Sequence, residues 1–142
     1  MRQTRLGARP ASSFQRLPRA EETQRACRDA IDAATEAFAS LAALNLSRAA
    51  KGEGALEIGV ALHRGQVMYG NIGARSRLDF TVISSAVNEA ARLEALCKPL
   101  GVRLTLSEEL AKAARLDDIV DLGAHVLKGV RTPLRVFTLG TR

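Results

Sequence analysis

The stretch "SSAVNEAARLEAL", Ser84 to Leu96, has a helical pattern with two polar residues, Asn88 and Arg92, four positions apart. That spacing stacks both side chains on one helix face, about 5–6 Å apart at Cβ. Arg is permanently charged and presents a planar fork of donors suited to a phosphate. On residue types alone, an ordinary solvated face with Arg92 paired to Glu89 or Glu94 is the better reading.

Other residues invite chemistry less strongly. Thr81, within "LDFTVI", carries a hydroxyl, but β-branched residues are also what strands use. Lys128, in "LKG", is a point charge on a flexible stem beside a Gly turn, or simply a solvated hairpin lysine. His63 is expected to pack or hydrogen-bond beside Gly65 rather than to catalyse, and Asp79 is not expected to bind metal. The spacing of Gly65, Gly70 and Gly73 matches neither a Rossmann nor a Walker phosphate loop. Those glycines are expected at tight turns or close backbone approaches. Met68 and Tyr69 suit a subunit surface and a core equally.

These residues must be held by a small scaffold. The chain has 142 residues and 46% hydrophobic content, which fits one domain with a buried core. Lys and Arg outnumber Asp and Glu by 21 to 15, a net charge of +6 that favours a polyanionic partner. Met1 to Arg19 alone contributes five arginines, two prolines and no acid, and reads as a disordered basic leader over 1–19. A transit peptide is the weaker reading of that segment. Cys27 and Cys97 lie far apart in helical patterns, which predicts two buried thiols, a reducing compartment and a cytoplasmic location. No apolar run approaches the roughly 18 residues a membrane span requires.

From Ala20 onward, Cys27, Ile31, Ala34, Phe38, Leu41 and Leu44 recur at three- and four-residue steps. That predicts a long amphipathic helix, opened by Glu21 and Glu22 and broken by "KGEG" at Lys51 to Gly54. The alternation of Leu56, Ile58, Val60 and Leu62 predicts a half-buried strand, and "LDFTVI" another. After the Asn88–Arg92 helix, "VRLTLS" predicts a short strand and Ser107 the N-cap of a short helix. "IVDLGAHVLKGVRTPLRVFTL" predicts two strands joined around Gly129 to Pro133. This mixed order indicates an α+β fold rather than a doubly wound sheet.

The run "IGVALHRGQVMYGNIG" followed by "RLDFTVISSAVNEAARLEALC" resembles the catalytic domain of the adenylate/guanylate cyclase family, the class III nucleotidyl cyclases. Gly59, His63, Gly65, Val67, Gly70 and Gly73 carry the first match. Asp79, Phe80, Thr81, Val82, Val87, Asn88, Ala91 and Arg92 carry the second. "LGAHVLKGVRTPLRVFTL" is similar to the family's closing strands, so the resemblance covers about Ala20 to Leu139. It implies a ferredoxin-like cyclase fold and a partial cyclase domain over 20–142. It also implies conversion of ATP, or possibly GTP, to a cyclic nucleotide and pyrophosphate, in cyclic-nucleotide signalling. Asn88 would then orient the ribose and Arg92 meet charge on the α-phosphate. Thr81 would read the purine, leaning toward ATP, and Lys128 would bind the terminal phosphates.

The resemblance further implies Mg²⁺ or Mn²⁺ held by two aspartates, and an active site formed with a second cyclase domain as homo- or heterodimer. Family domains carry those aspartates on strands ahead of the first helix. Here only the basic tail precedes it, so the fold is expected to be truncated on its N-terminal side and inactive alone. The family commonly has Gly where this chain reads Ser84 and Ser85, either of which can cap the helix. Two function classes follow: a cyclase half-site that needs a partner, and a non-catalytic dimerising or regulatory cyclase-like module or gene fragment. A basic nucleic-acid binder ranks last, because no aromatic stacking platform accompanies the arginines.

Overall fold

In the computed structural model, residues 18–72 and 79–140 are described, with the side chains of 68–72 and 79–83 left aside. All but the last two residues of the expected 1–19 leader lie outside that range. Helix α1 spans Ala20–Ala50. Its first turn carries Glu21 and Glu22, and the Glu22 carboxylate accepts from the Arg19 backbone N–H at 2.9 Å, satisfying one of the helix's open donors. The strands are β1 (Val60–Leu62), β2 (Met68–Ile72), β3 (Asp79–Ile83), β4 (Leu104–Ser107), β5 (Ile119–His125) and β6 (Leu134–Leu139). The further helices are α2 (Ser85–Ala95), α3 (Cys97–Leu100) and α4 (Glu108–Ala114).

A four-stranded sheet runs in the order β1-β4-β6-β5, and β2 and β3 form a separate antiparallel ribbon. Strands β1 and β4 are parallel, which requires a crossover, and the β2–β3 ribbon with α2 supplies it. The remaining pairs are antiparallel. This mixture is the α+β arrangement expected from the element order.

Strand β4 lies at the centre of the packing and is buried along its whole length. Successive side chains point to opposite faces. Leu104 and Leu106 join Cys27, Ile31 and Ala34 of α1 and Leu110 and Ala114 of α4 in one cluster. Thr105 faces the other way, toward α2, where its hydroxyl donates to the Leu93 carbonyl at 2.9 Å. On that face Leu93, Leu127 and Val136 form a second cluster. Arg28 locks the first layer by donating from Nε to the Ala114 carbonyl at 2.8 Å and from its guanidinium to the Arg115 carbonyl at 2.9 Å. Those are the unsatisfied acceptors at the end of α4, and a cation is favoured there.

Three expectations need correction. The strand expected from Leu56 to Leu62 is only Val60–Leu62. Asn45 of α1 explains it, because its side chain donates to the Leu56 carbonyl at 2.9 Å and accepts from the Leu56 N–H at 2.8 Å. Leu56 is thus satisfied by a helix side chain instead of a strand ladder, and Leu56 and Ile58 stay exposed. Gly70, expected at a turn, lies inside β2 opposite Thr81, so the element order gains a strand. Leu44, expected on the buried stripe of α1, is half exposed.

Cys27 and Cys97 are free and buried, as expected. Burial pushes the Cys27 thiol up, partly offset by the Arg64 charge. A raised thiol holds less thiolate, the reactive form. Cys27 should therefore resist iodoacetamide at neutral pH until the chain unfolds, which mass spectrometry of native and denatured samples will show. Leu93 is fully buried. Leu93→Ala should lower stability by about 2–5 kcal/mol, read as a shift in the urea midpoint.

Candidate functional site

The start of α2 is set by Ser84, whose hydroxyl accepts from the Val87 N–H at 3.3 Å. Of the two serines expected as caps, it is Ser84 that serves. Ala86 and Leu93 are buried and hold the helix against the sheet. On an ideal helix each residue advances about 100°. Taking Asn88 as the origin, Arg92 then lies about 40° away, Glu89 about 100°, Leu93 about 140° and Ala86 about 160°. Asn88 and Arg92 thus share the face opposite the buried one, and both are exposed.

Arg92 makes no ion pair among the described residues. The alternative pairing with Glu89 or Glu94 is not formed: Glu89 Oε2 lies 3.2 Å from His63 Nε2, and Glu94 reaches toward Gly59. His63 itself is almost fully enclosed, its side chain 5% exposed, and its Nδ1 has no hydrogen-bond partner. Of the two arrangements expected of His63, packing or hydrogen bonding beside Gly65, the structure shows it packed close to Gly65. What the sequence did not reveal is its partner on α2.

Lys128 sits in a turn closed by the Val130 N–H donating to the Leu127 carbonyl at 3.0 Å, with Gly129 at φ +83°. Lys128 is exposed, while Leu127 beside it is buried with Leu93, the neighbour of Arg92. One apolar cluster therefore anchors both the α2 face and the lysine turn. Thr81 lies in β3 opposite Gly70. The role expected of its side chain falls outside the described residues, as do Gly73 and the packing of Met68, Tyr69 and Asp79.

Among the described residues no three His, Cys, Asp or Glu side chains come together. Glu89, the acid nearest the Asn88–Arg92 face in sequence, is engaged by His63. These residues do not form a donor set for the Mg²⁺ or Mn²⁺ that the resemblance implies, since such ions need several oxygen ligands. An open cleft of about 660 Å³ lies elsewhere, walled by Leu41, Leu56, Ile58, Glu94, Lys98 and Arg103. It includes none of Asn88, Arg92, Thr81 or Lys128. No described helix is long and apolar enough to cross a membrane.

Similarity to known proteins points to the same fold. No family model matches the chain. An uncharacterized protein of Mycobacterium tuberculosis is 41% identical over 83 residues, 56% of this chain. An adenylate cyclase of Anabaena cylindrica is 40% identical over 57 residues, 40% of this chain. The chain spans only 15% and 11% of the lengths of these two relatives. A bacterial light-regulated adenylyl cyclase structure is 28% identical over 84% of this chain and 34% of its own, with a TM-score of 0.60. The adenylyl cyclase CyaB from P. aeruginosa (24% identity, TM-score 0.64) covers 87% of this chain and 61% of its own. The guanylyl cyclase Cya2 (23%, TM-score 0.67) covers 90% and 63%. At that identity the last two bear on fold alone.

The fold is that of part of a nucleotidyl cyclase domain. In sequence and structure together, the chain resembles the C-terminal portion of the class III adenylate/guanylate cyclase catalytic domain.

Gly65 is where the loop after β1 meets α2. A Cβ there would stand 2.5 Å from the Ala86 Cβ and 2.9 Å from His63 Nε2, closer than real contacts allow. Gly65→Ala should therefore displace the first turn of α2 and destabilise the fold by about 1–3 kcal/mol. Chemical denaturation and the backbone amide shifts of residues 85–89 will report both effects.

Proposed function

We propose that this chain supplies the nucleotide-orienting half of a cyclase active site, completed by a second cyclase domain. The implied reaction is ATP to cyclic AMP and pyrophosphate. The observation that carries the reading is the exposed Asn88–Arg92 face of α2, with Arg92 free of ion pairs among the described residues. In this reading the ribose 3′-oxygen attacks the α-phosphorus, and the bond to the pyrophosphate oxygen breaks. Asn88 orients the ribose so that attack proceeds in line. Arg92 meets the charge that gathers on the α-phosphate oxygens, the term on which phosphoryl transfer chiefly depends. Lys128 holds the terminal phosphates as a point charge, and Thr81 accepts from the adenine amine. In this reading the metal-bearing carboxylates belong to the partner domain. The chain alone is then expected not to turn over ATP.

A non-catalytic dimerising or regulatory module is the second reading, and the lack of a carboxylate cluster among the described residues favours it. The free Arg92 weighs against it, because an interaction module has no need to keep that guanidinium unpaired.

Mixing the chain with a metal-competent cyclase domain should raise cyclic AMP production above that of either component. Arg92→Ala should lower that gain by about a hundredfold or more. No gain on mixing, with both proteins folded, would reject the half-site and leave the module.

A further inference from the structure

We propose that His63 is a positioning residue that keeps Arg92 available by holding Glu89 away from it. This rests on the nucleotide-orienting reading of α2. Glu89 lies three residues before Arg92, a spacing at which the two side chains are neighbours, about 5–6 Å apart at Cβ. An exposed arginine with a carboxylate at that distance ordinarily pairs with it. Here it does not. The Glu89 carboxylate lies instead 3.2 Å from His63 Nε2.

The geometry of the helix explains why Glu89 can serve two partners. It sits at the border between the buried face, marked by Ala86 and Leu93, and the exposed face of Asn88 and Arg92. From that border one rotamer meets Arg92 and another meets the rim of β1, where His63 stands. His63 is enclosed to 5% exposure and pressed against Gly65, whose missing side chain leaves it room. The enclosed imidazole thus presents Nε2 to the Glu89 carboxylate, where their attraction is less screened than it would be in water. For a hydrogen bond there Nε2 must carry the hydrogen. Nδ1 has no hydrogen-bond partner. The other acid close in sequence, Glu94, is two residues from Arg92 and so does not face it.

Sequestration differs from a merely structural role in a way that can be measured. If His63 only stabilised the fold, Glu89→Gln could still relieve a stranded carboxylate, but the Arg92 resonance would not move in the His63→Leu variant. If His63 keeps Glu89 off Arg92, removing the Glu89 charge makes His63 dispensable. The test uses the full chain, magnesium-free ATP as probe, calorimetry for affinity and the ¹⁵Nε resonance of Arg92 as an independent readout. His63→Leu should weaken ATP binding on the order of tenfold and shift the Arg92 resonance toward a carboxylate-paired position without nucleotide. His63→Leu combined with Glu89→Gln should restore both. His63→Gln, whose amide nitrogen stands where Nε2 does, should behave as the unaltered chain, whereas His63→Asn should behave as the Leu variant.

An Arg92 resonance that does not move in either His63→Leu or His63→Asn would overturn the proposal. So would a His63→Leu defect that Glu89→Gln leaves in place, or ¹⁵N shifts showing that Nε2 of His63 is bare. Should ATP bind equally to the unaltered chain and to Arg92→Ala, the nucleotide reading itself fails. The Arg92 resonance still decides the sequestration in that case, because it is read without ligand.

Discussion

Strand β4 is buried on both faces, and the way each half of the molecule attaches to it decides where α2 points. The strand nonetheless alternates Leu, Thr, Leu and Ser, so with both faces buried each hydroxyl must find a partner inside the protein. Thr105 donates to the Leu93 carbonyl of α2 at 2.9 Å, and Ser107 accepts from the Leu110 N–H at the start of α4. Apolar contact holds Leu93 at its depth but is not directional. The Thr105 hydrogen bond adds direction, and Cys97 Sγ, 3.5 Å from the Val60 carbonyl, closes the same seam one helix later. The exposed face of α2 is a consequence of how its back is fastened.

The opposite layer steadies the strand from behind. Helix α1 contributes Cys27, Ile31 and Ala34, and α4 contributes Leu110 and Ala114. Both helices pack on the face of the sheet opposite α2 and define the plane against which α2 is measured. Arg28 joins them by filling the carbonyls at the end of α4, where Arg115 adopts a left-handed conformation at φ +50°. Non-glycine residues rarely adopt that conformation. The two hydrogen bonds from Arg28 to the last carbonyls account for its being held there.

Much of this was legible in the sequence because the responsible forces act locally. The stripe Cys27, Ile31, Ala34 follows from helical period, and the caps Ser84 and Ser107 follow from residues that satisfy open N–H groups. The return between β5 and β6 follows from Gly129. What stayed hidden depended on contacts between distant residues. No pattern in "ALEIG" tells that Asn45, eleven positions earlier, takes the backbone of Leu56 out of the strand. Strand β2 was masked by glycines that read as turns, while its partner β3 was plain. The site was legible only in part: the i, i+4 spacing exposed the Asn88–Arg92 pair, but the His63–Glu89 bond spans 26 positions and leaves no local mark.

The arrangement of charge gives a physical reason for a site divided between two surfaces. A cation meant for a phosphate must not be neutralised by its own scaffold, and a carboxylate set meant for a metal must not be neutralised by that cation. Placed on one small helix face, the two would pair with each other, since groups of opposite charge a helical turn apart attract. Dividing them between separate surfaces prevents this until a ligand carrying phosphates, and the cations that accompany them, comes between. On the described face of α2 the cation Arg92 and the amide Asn88 stand exposed, Lys128 stands at a turn anchored in the same apolar cluster, and the single acid within reach, Glu89, is occupied by a buried histidine. A surface composed in this way is electrostatically unfinished. In the proposed reading, its complement is an anion flanked by a second, acidic surface.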